Sequence, residues 1–170
     1  MISKATPKDV AALTTLINSA YRGEGSKRGW TTEADLLDGQ RTDEASITDL
    51  ITKPNTALLK YETGDGQLLG CVYLEKQEEQ LYLGMLTVAP HLQNSGIGKQ
   101  LLYAAEAYAQ ELQCTAVVMS VIYVRHELIN WYERHGYKKT GATKPFLHTD
   151  PRFGIPKQPL EFLILEKTVS

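Results

Sequence analysis

The residues with the clearest chemical potential are Gln93-Asn94-Ser95-Gly96-Ile97-Gly98-Lys99, a small-residue stretch between the apolar run Leu81 to Val88 and a helical pattern starting near Gly98. A strand that delivers two glycines to a helix N-terminus is suited to holding phosphate. The first-turn N–H groups have no intrahelical acceptor, the positive end of the dipole lies beside them, and glycine admits a close backbone approach. A second group is Trp131-Tyr132-Glu133-Arg134-His135-Gly136-Tyr137, a helix end with Gly136 as its C-cap. His91, His126, His135 and His148 show no ligand spacing, and neither do Cys71 and Cys114. No metal is expected, and both cysteines read as reduced core residues.

These groups need elements to hold them. Ile2 to Ala5 reads as a short first strand, and Thr6-Pro7-Lys8-Asp9 as a helix start with Thr6 as N-cap and Asp9 reaching back. Val10, Leu13, Ile17 and Ala20 give that helix one buried face, ending near Tyr21-Arg22-Gly23. Gly23 to Trp30 reads as a loop, Thr32 to Leu37 as a short helix stopped by Gly39, and Asp43 to Lys53 as a third helix. Ala57 to Tyr61, Leu68 to Glu75 and Leu81 to Val88, joined by short turns, make an antiparallel meander. The last of these is apolar on both alternating sets, Tyr82-Gly84-Leu86-Val88 and Leu83-Met85-Thr87, as a central strand buried on both faces would be. The helix after the glycines and the β-branched strand Thr115 to Val121 complete a crossover with parallel strands. Then come a helix from Glu127 to His135, a short strand from Tyr137 to Thr140, an ordered proline-rich loop from Lys144 to Pro159 and a final strand from Phe162 to Lys167.

Composition bounds the function. A chain of 170 residues with 42% hydrophobic and 22% charged residues suits one globular domain over residues 1–170. A net charge of −2 argues against nucleic acid as a partner. No apolar run approaches the ~18 residues of a membrane span, and the start lacks a signal-peptide pattern, so a cytosolic protein without a membrane partner is expected. Acidic residues concentrate between Glu24 and Asp49. That segment is either a solvated helical surface or a wall that attracts a cationic amine.

Three phosphate motifs can be tested against the glycine loop. A P-loop fails, because Gly96 and Gly98 are too close and Lys99 is followed by Gln100. A dinucleotide fingerprint fails too, because its third glycine would fall at Leu101. Gln93-Asn94-Ser95-Gly96-Ile97-Gly98 matches Q-x-x-G-x-G in full, and Trp131 to Tyr137 is similar to [FLW]-Y-x-x-x-G-[FY]. With Leu86 to Pro90 upstream and Lys99 to Leu102 downstream, Leu68 to Thr140 resembles the GNAT N-acetyltransferase superfamily. That resemblance implies an α/β (α+β) fold with a mixed, mostly antiparallel sheet of six or seven strands. It further implies a splay between strands 4 and 5 and four or five flanking helices.

The resemblance also implies an activity and a set of contacts. The chain would move an acetyl group from acetyl-CoA, a co-substrate, to a primary amine of a small molecule or peptide by direct attack in a ternary complex. The alternative is a CoA-binding or sensing domain that has lost the chemistry. Leu86, Thr87 and Val88 would lie along the pantetheine arm, and the backbone from Asn94 through Ser95, Gly96, Ile97 and Gly98 to Lys99 would hold the pyrophosphate. A main-chain N–H near Leu86 would polarise the thioester carbonyl. Tyr132 would be the proton donor to the leaving thiolate, or else a core aromatic. Arg125 replaces a commonly found asparagine, and either reaches a CoA phosphate or caps a surface helix.

A neutral amine needs a base. A lysine-type amine with pKa ~10.4 is only about one part in a thousand neutral at pH ~7.4, a cost of roughly 4 kcal/mol. By the resemblance, Tyr82 occupies the place where relatives that acetylate histone-like lysines carry a glutamate on the fourth strand. Glu75, Glu24 and ordered water are the candidates. Tyr21, Arg22, Glu24 and Trp30 are candidates for the acceptor pocket, with Trp30 equally readable as a packing anchor. The oligomeric state is left as monomer or homodimer.

Overall fold

The structure is a computed structural model that describes residues 1–21, 41–93, 95–145 and 160–169, and the backbone alone at 37–38 and 155–156. Seven strands form one sheet: β1 (Ile2–Lys4), β2 (Thr56–Glu62), β3 (Leu68–Gln77), β4 (Gln80–Val88), β5 (Ala116–Ile122), β6 (Lys138–Pro145) and β7 (Glu161–Thr168). Their order is β1-β2-β3-β4-β5-β7-β6, and the β4–β5 pair is parallel while every other pair is antiparallel. The described residues carry four α-helices: α1 (Val10–Tyr21), α2 (Glu44–Thr52), α3 (Ile97–Glu111) and α4 (His126–Arg134).

Helix α1 starts as the sequence predicts, after a 3-10 turn over Pro7–Asp9 in which the Asp9 carboxylate accepts the Thr6 N–H at 2.8 Å. Its buried Val10, Leu13, Leu16, Ile17 and Ala20 pack with Ile47 of α2 on Leu58, Cys71 and Tyr73. The opposite sheet face is covered by Ile97, Leu101, Leu102 and Ala105 of α3 and by Leu128, Ile129 and Tyr132 of α4. Cys71 and Cys114 are buried and free.

Several boundaries differ from the sequence reading. Leu37 does not end a helix: Leu37–Asp38 is a two-residue strand antiparallel to Ile155–Pro156, a long-range pairing that local propensity cannot report. The strand expected over Tyr137 to Thr140 runs as β6 to Pro145, so Lys144 and Pro145 belong to an element rather than a loop. Pro145 sits on an edge strand, where a missing N–H is tolerated.

The alternation expected in β4 fails in an instructive way. Tyr73 of β3 faces Gly84 while Cys71 faces Thr87, so β4 carries one extra residue between these pairs. Met85 adopts φ 53°, in the left-handed region. The bulge reverses the parity of the strand. Leu81 and Leu83 pack on the α3 face, and so do Leu86 and Val88, whereas Tyr82 and Met85 face α1.

Candidate functional site

The glycine loop joins the end of β4 to α3. Gly96, the N-cap, has φ 90°, a conformation costly for a side chain, and the first intrahelical bond is Gln100 N–H to Gly96 O at 3.1 Å. The N–H groups of Ile97, Gly98 and Lys99 therefore precede the helical ladder. No acidic residue lies in this first turn, and Lys99 places its ammonium over the Tyr103 ring. Gln93 ties the loop to the strand by donating to Val88 O at 3.0 Å. Trp131 stands behind the turn, since a Cβ at Gly98 would meet Trp131 Cζ2 and Val88 Cγ2 at 3.6 Å. The two motifs of the sequence are thus one contact in space.

A slot opens beside this loop. Strands β4 and β5 pair only from Gln80–Ala116 to Tyr82–Val118. Beyond that point β5 stays paired to β7 as far as Ile122, and β4 returns to β3 at Thr87 and Val88. The bulge at Met85 falls in the unpaired length of the β4 edge. Thr87, fully buried, spans the bulge by donating to Met85 O at 2.8 Å. Glycine at position 70 is required behind it, because a Cβ there would stand 2.8 Å from Thr87 O and 3.0 Å from Leu101 Cδ1.

A narrow cavity of ≈ 70 Å³ occupies the splay, and Tyr21, Arg41, Tyr82, Leu86, Arg125 and Tyr132 are among its lining residues. Tyr132 is 4% exposed, and among the described residues its hydroxyl makes no hydrogen bond. Burial, and secondarily the neighbouring Tyr21, pushes this phenol far up, with Arg125 pulling the other way. It remains a protonated donor at any working pH. Burial also raises Tyr82, whose ring lies along Gly84. The Tyr21 hydroxyl donates to Leu86 O across the bulge.

Arg125 is the N-cap residue of α4, yet its guanidinium lies 5.7 Å from the centre of the Tyr21 ring. Arg41 lies 5.7 Å from the centre of the same ring. Sequence reasoning missed Arg41, which offers no motif and sits among acidic residues. A larger groove of ≈ 830 Å³, bordered by Ala11, Thr15, Leu68, Pro90 and His91, contains neither the orphaned hydroxyl nor the bulge.

Glu75 does not line the cavity. Its carboxylate accepts Tyr73 Oη at 2.6 Å and pairs with Lys53 Nζ at 3.0 Å, and the Tyr73 hydrogen bond above all holds its pKa below the usual carboxylate range. In its described part the acidic stretch follows the solvated helical surface rather than the alternative of a wall: Asp43 caps α2 by accepting Ser46 N–H at 2.8 Å, and Glu44 and Asp49 are exposed on α2. Arg22, Glu24, Trp30 and Asn94 lie outside the described residues. Among the described residues there is no cluster of three His, Cys, Asp or Glu side chains, and no helix long and apolar enough to cross a membrane.

The fold has many relatives. The chain aligns over its whole length with the ribosomal-protein-S18-alanine N-acetyltransferase of Escherichia coli, at TM-score 0.73 and 14% identity, covering 94% of that chain. A GNAT superfamily phosphinothricin acetyltransferase from Sinorhizobium meliloti, solved in complex with AcCoA, aligns with 100% of this chain and 88% of its own at TM-score 0.71 and 14% identity. In sequence, the chain is 26% identical over 120 residues to mouse N-acetyltransferase family 8 member 3, a match covering 67% of this chain and 53% of that protein. The chain therefore spans about half the length of the curated relatives it matches. The model of the acetyltransferase (GNAT) family matches residues 10–137, from the first residue of α1 to the tyrosine that closes the second motif, and the chain belongs to that family.

Proposed function

We propose that the protein transfers an acetyl group from acetyl-CoA to a primary amine, the two substrates being bound together in the β4–β5 splay. The observation that carries this reading is the Tyr132 hydroxyl, buried and without a hydrogen-bond partner among the described residues, facing the unpaired edge of β4. A buried orphaned hydroxyl costs ~1–3 kcal/mol unless a bound group satisfies it. The residues present fit acetyl-CoA. The N–H groups of Ile97, Gly98 and Lys99, with no acid beside them, suit a pyrophosphate. The free edge of β4 suits an amide-bearing arm laid down as an added strand. The carbonyls of Leu86 and Val88 already accept from Tyr21 and Gln93, but each keeps a second lone pair.

Acetyl-CoA supplies the activated acyl thioester. A β4 main-chain N–H near Leu86, beside the bulge at Met85, would stabilise charge on the acyl oxygen. The amine nitrogen forms its bond to the acyl carbon as the C–S bond breaks. Tyr132 donates a proton to the departing sulfur, and the proton released by the new amide passes to water and restores the phenol. Glu75, held ionised by Tyr73 and Lys53 outside the cavity, takes no part. With no carboxylate among the described cavity residues, the acceptor reaches the site already neutral or loses its proton to water.

Thiol release from acetyl-CoA against a panel of primary amines tests the reading. Acetyl transfer to at least one amine, reduced about 10²-fold or more by Tyr132→Phe, is expected. CoA binding without transfer to any amine would support the non-catalytic alternative. An unchanged rate in the variant would remove Tyr132 from the chemistry.

A further inference from the structure

Tyr21 carries a guanidinium group at 5.7 Å from its ring centre twice over, Arg41 from the segment before α2 and Arg125 from the start of α4. Both arginines are half-buried, and both line the cavity that holds the Tyr132 hydroxyl. Guanidinium groups that line a cavity suit an anionic ligand there. Among the described residues the lining of the cavity includes no aspartate or glutamate, and Arg41 has no carboxylate partner. Each charge is also felt at a hydroxyl in the cavity, Arg41 at Tyr82 and Arg125 at Tyr132. Such a site disfavours a polyamine or a lysine-rich peptide, because both bring further cations.

We infer that the acceptor is a small primary amine bearing a carboxylate or another oxyanion, which Arg41 and Arg125 hold beside Tyr21 while the amine faces the Leu86 end of the bulge. The planar, forked guanidinium suits a carboxylate or phosphonate better than any neutral group. Tyr21 sets the distance. Its ring lies by the two arginines and its hydroxyl touches Leu86 O, so about one tyrosine ring separates the anion site from the acyl end of the slot. An amine and an acid on neighbouring carbons, or a few bonds apart, span that interval. The same cations make the bound ammonium form less favourable, which assists attack in a cavity with no carboxylate base among its described residues.

This rests on the acetyltransferase reading, and the experiment separates the two. Calorimetry with and without saturating CoA compares amino acids, aminoalkyl phosphonates, the corresponding amino-acid amides and spermidine as ligands, so the acceptor arm does not depend on turnover. At least one oxyanion-bearing amine should bind about tenfold or more tighter than its uncharged counterpart and than spermidine. Arg41→Gln should bring that ratio close to one and leave the CoA affinity unchanged, while Arg41→Lys should keep part of it. Thermal unfolding of both variants checks that the fold is retained, and Arg125→Gln provides the second, independent loss. Equal or tighter binding of the amides or spermidine, no binding by any oxyanion-bearing amine, or a ratio unmoved by Arg41→Gln would overturn the inference. Failure of the wild-type protein to bind CoA would instead overturn the acetyltransferase reading.

Discussion

Tyr132 and Glu75 show how environment sorts residues that a sequence presents as equals. Both are candidate catalytic groups, but Tyr132 is buried with a hydroxyl that has no hydrogen-bond partner among the described residues, whereas Glu75 is committed to Tyr73 and Lys53. Tyr132→Phe is expected to lower kcat by about 10² or more with little change in acetyl-CoA KM, read from steady-state kinetics. The pH profile follows from the same geometry. Burial first of all keeps Tyr132 and Tyr82 protonated well above the ordinary phenol range, and no carboxylate is among the described cavity residues. The ascending limb of kcat/KM should therefore track the acceptor amine, moving when an acceptor of different pKa is used. A limb that stays in place across acceptors would point to a base on the enzyme. Tyr132 was legible in the sequence because it sits in a local motif. Arg41 was not, because its meeting with Tyr21 and Arg125 depends on three separate elements converging.

At the scale of elements, the junction of β3, β4 and α3 sets the slot. Gly70 lets α3 lie on the sheet directly behind the bulge, and an added methyl would stand 2.8 Å from Thr87 O, a backbone atom that cannot swing away. Gly70→Ala should destabilise the protein by ~1–3 kcal/mol in denaturant unfolding and weaken CoA binding as the bulge shifts. The element order and the parallel β4–β5 pair could be read from apolar runs, turn residues and the strand–helix–strand spacing. The bulge could not. Leu81 to Val88 shows only unbroken apolarity, and a single extra residue changes the facing of Leu86 and Val88 without changing composition. The two-residue pairing of Leu37–Asp38 with Ile155–Pro156 was hidden for a different reason, since its partner lies far along the chain.

Across the whole molecule, β2 is tied through charge to the turn that precedes α1. Lys60 Nζ lies 3.0 Å from both Asp9 Oδ1 and Glu62 Oε1. The Glu62 hydrogen bond, against burial, raises the Lys60 ammonium above its ordinary 10.5. Burial pushes Asp9 up, but the Thr6 N–H and Lys60 outweigh it and hold the carboxyl below its ordinary 3.8. The raised lysine stabilises the fold fully below 10.5 and ceases to do so as pH rises through its folded value. The lowered aspartate stabilises it above 3.8 and ceases to do so as pH falls through its folded value. The contribution of this ion-pair group to the urea unfolding midpoint should be level between these limits and shrink outside both. The buried Cys71 thiol and the Tyr73, Tyr82, Tyr132 and Tyr137 phenols, all raised by burial, add their own loss on the alkaline side. Lys60→Met should cost ~1–3 kcal/mol near neutral pH, because it leaves two carboxylates close together, and the cost should shrink as pH falls through the folded value of Asp9. Donor binding, by contrast, should not respond to this change, since Lys60 lies on β2, away from the slot. The proposal that the glycine loop and the β4–β5 splay hold CoA is tested by calorimetric titration of CoA into wild-type and Gly98→Asp protein. A Cβ at position 98 meets its neighbours at ordinary contact distance, so the variant should fold with an unchanged Tm. Saturable one-to-one binding to the wild type is expected, with an affinity at least about 100-fold lower in the variant, where a carboxylate faces the pyrophosphate site. Equal CoA affinity in the two proteins, or no binding by the wild type, would contradict it.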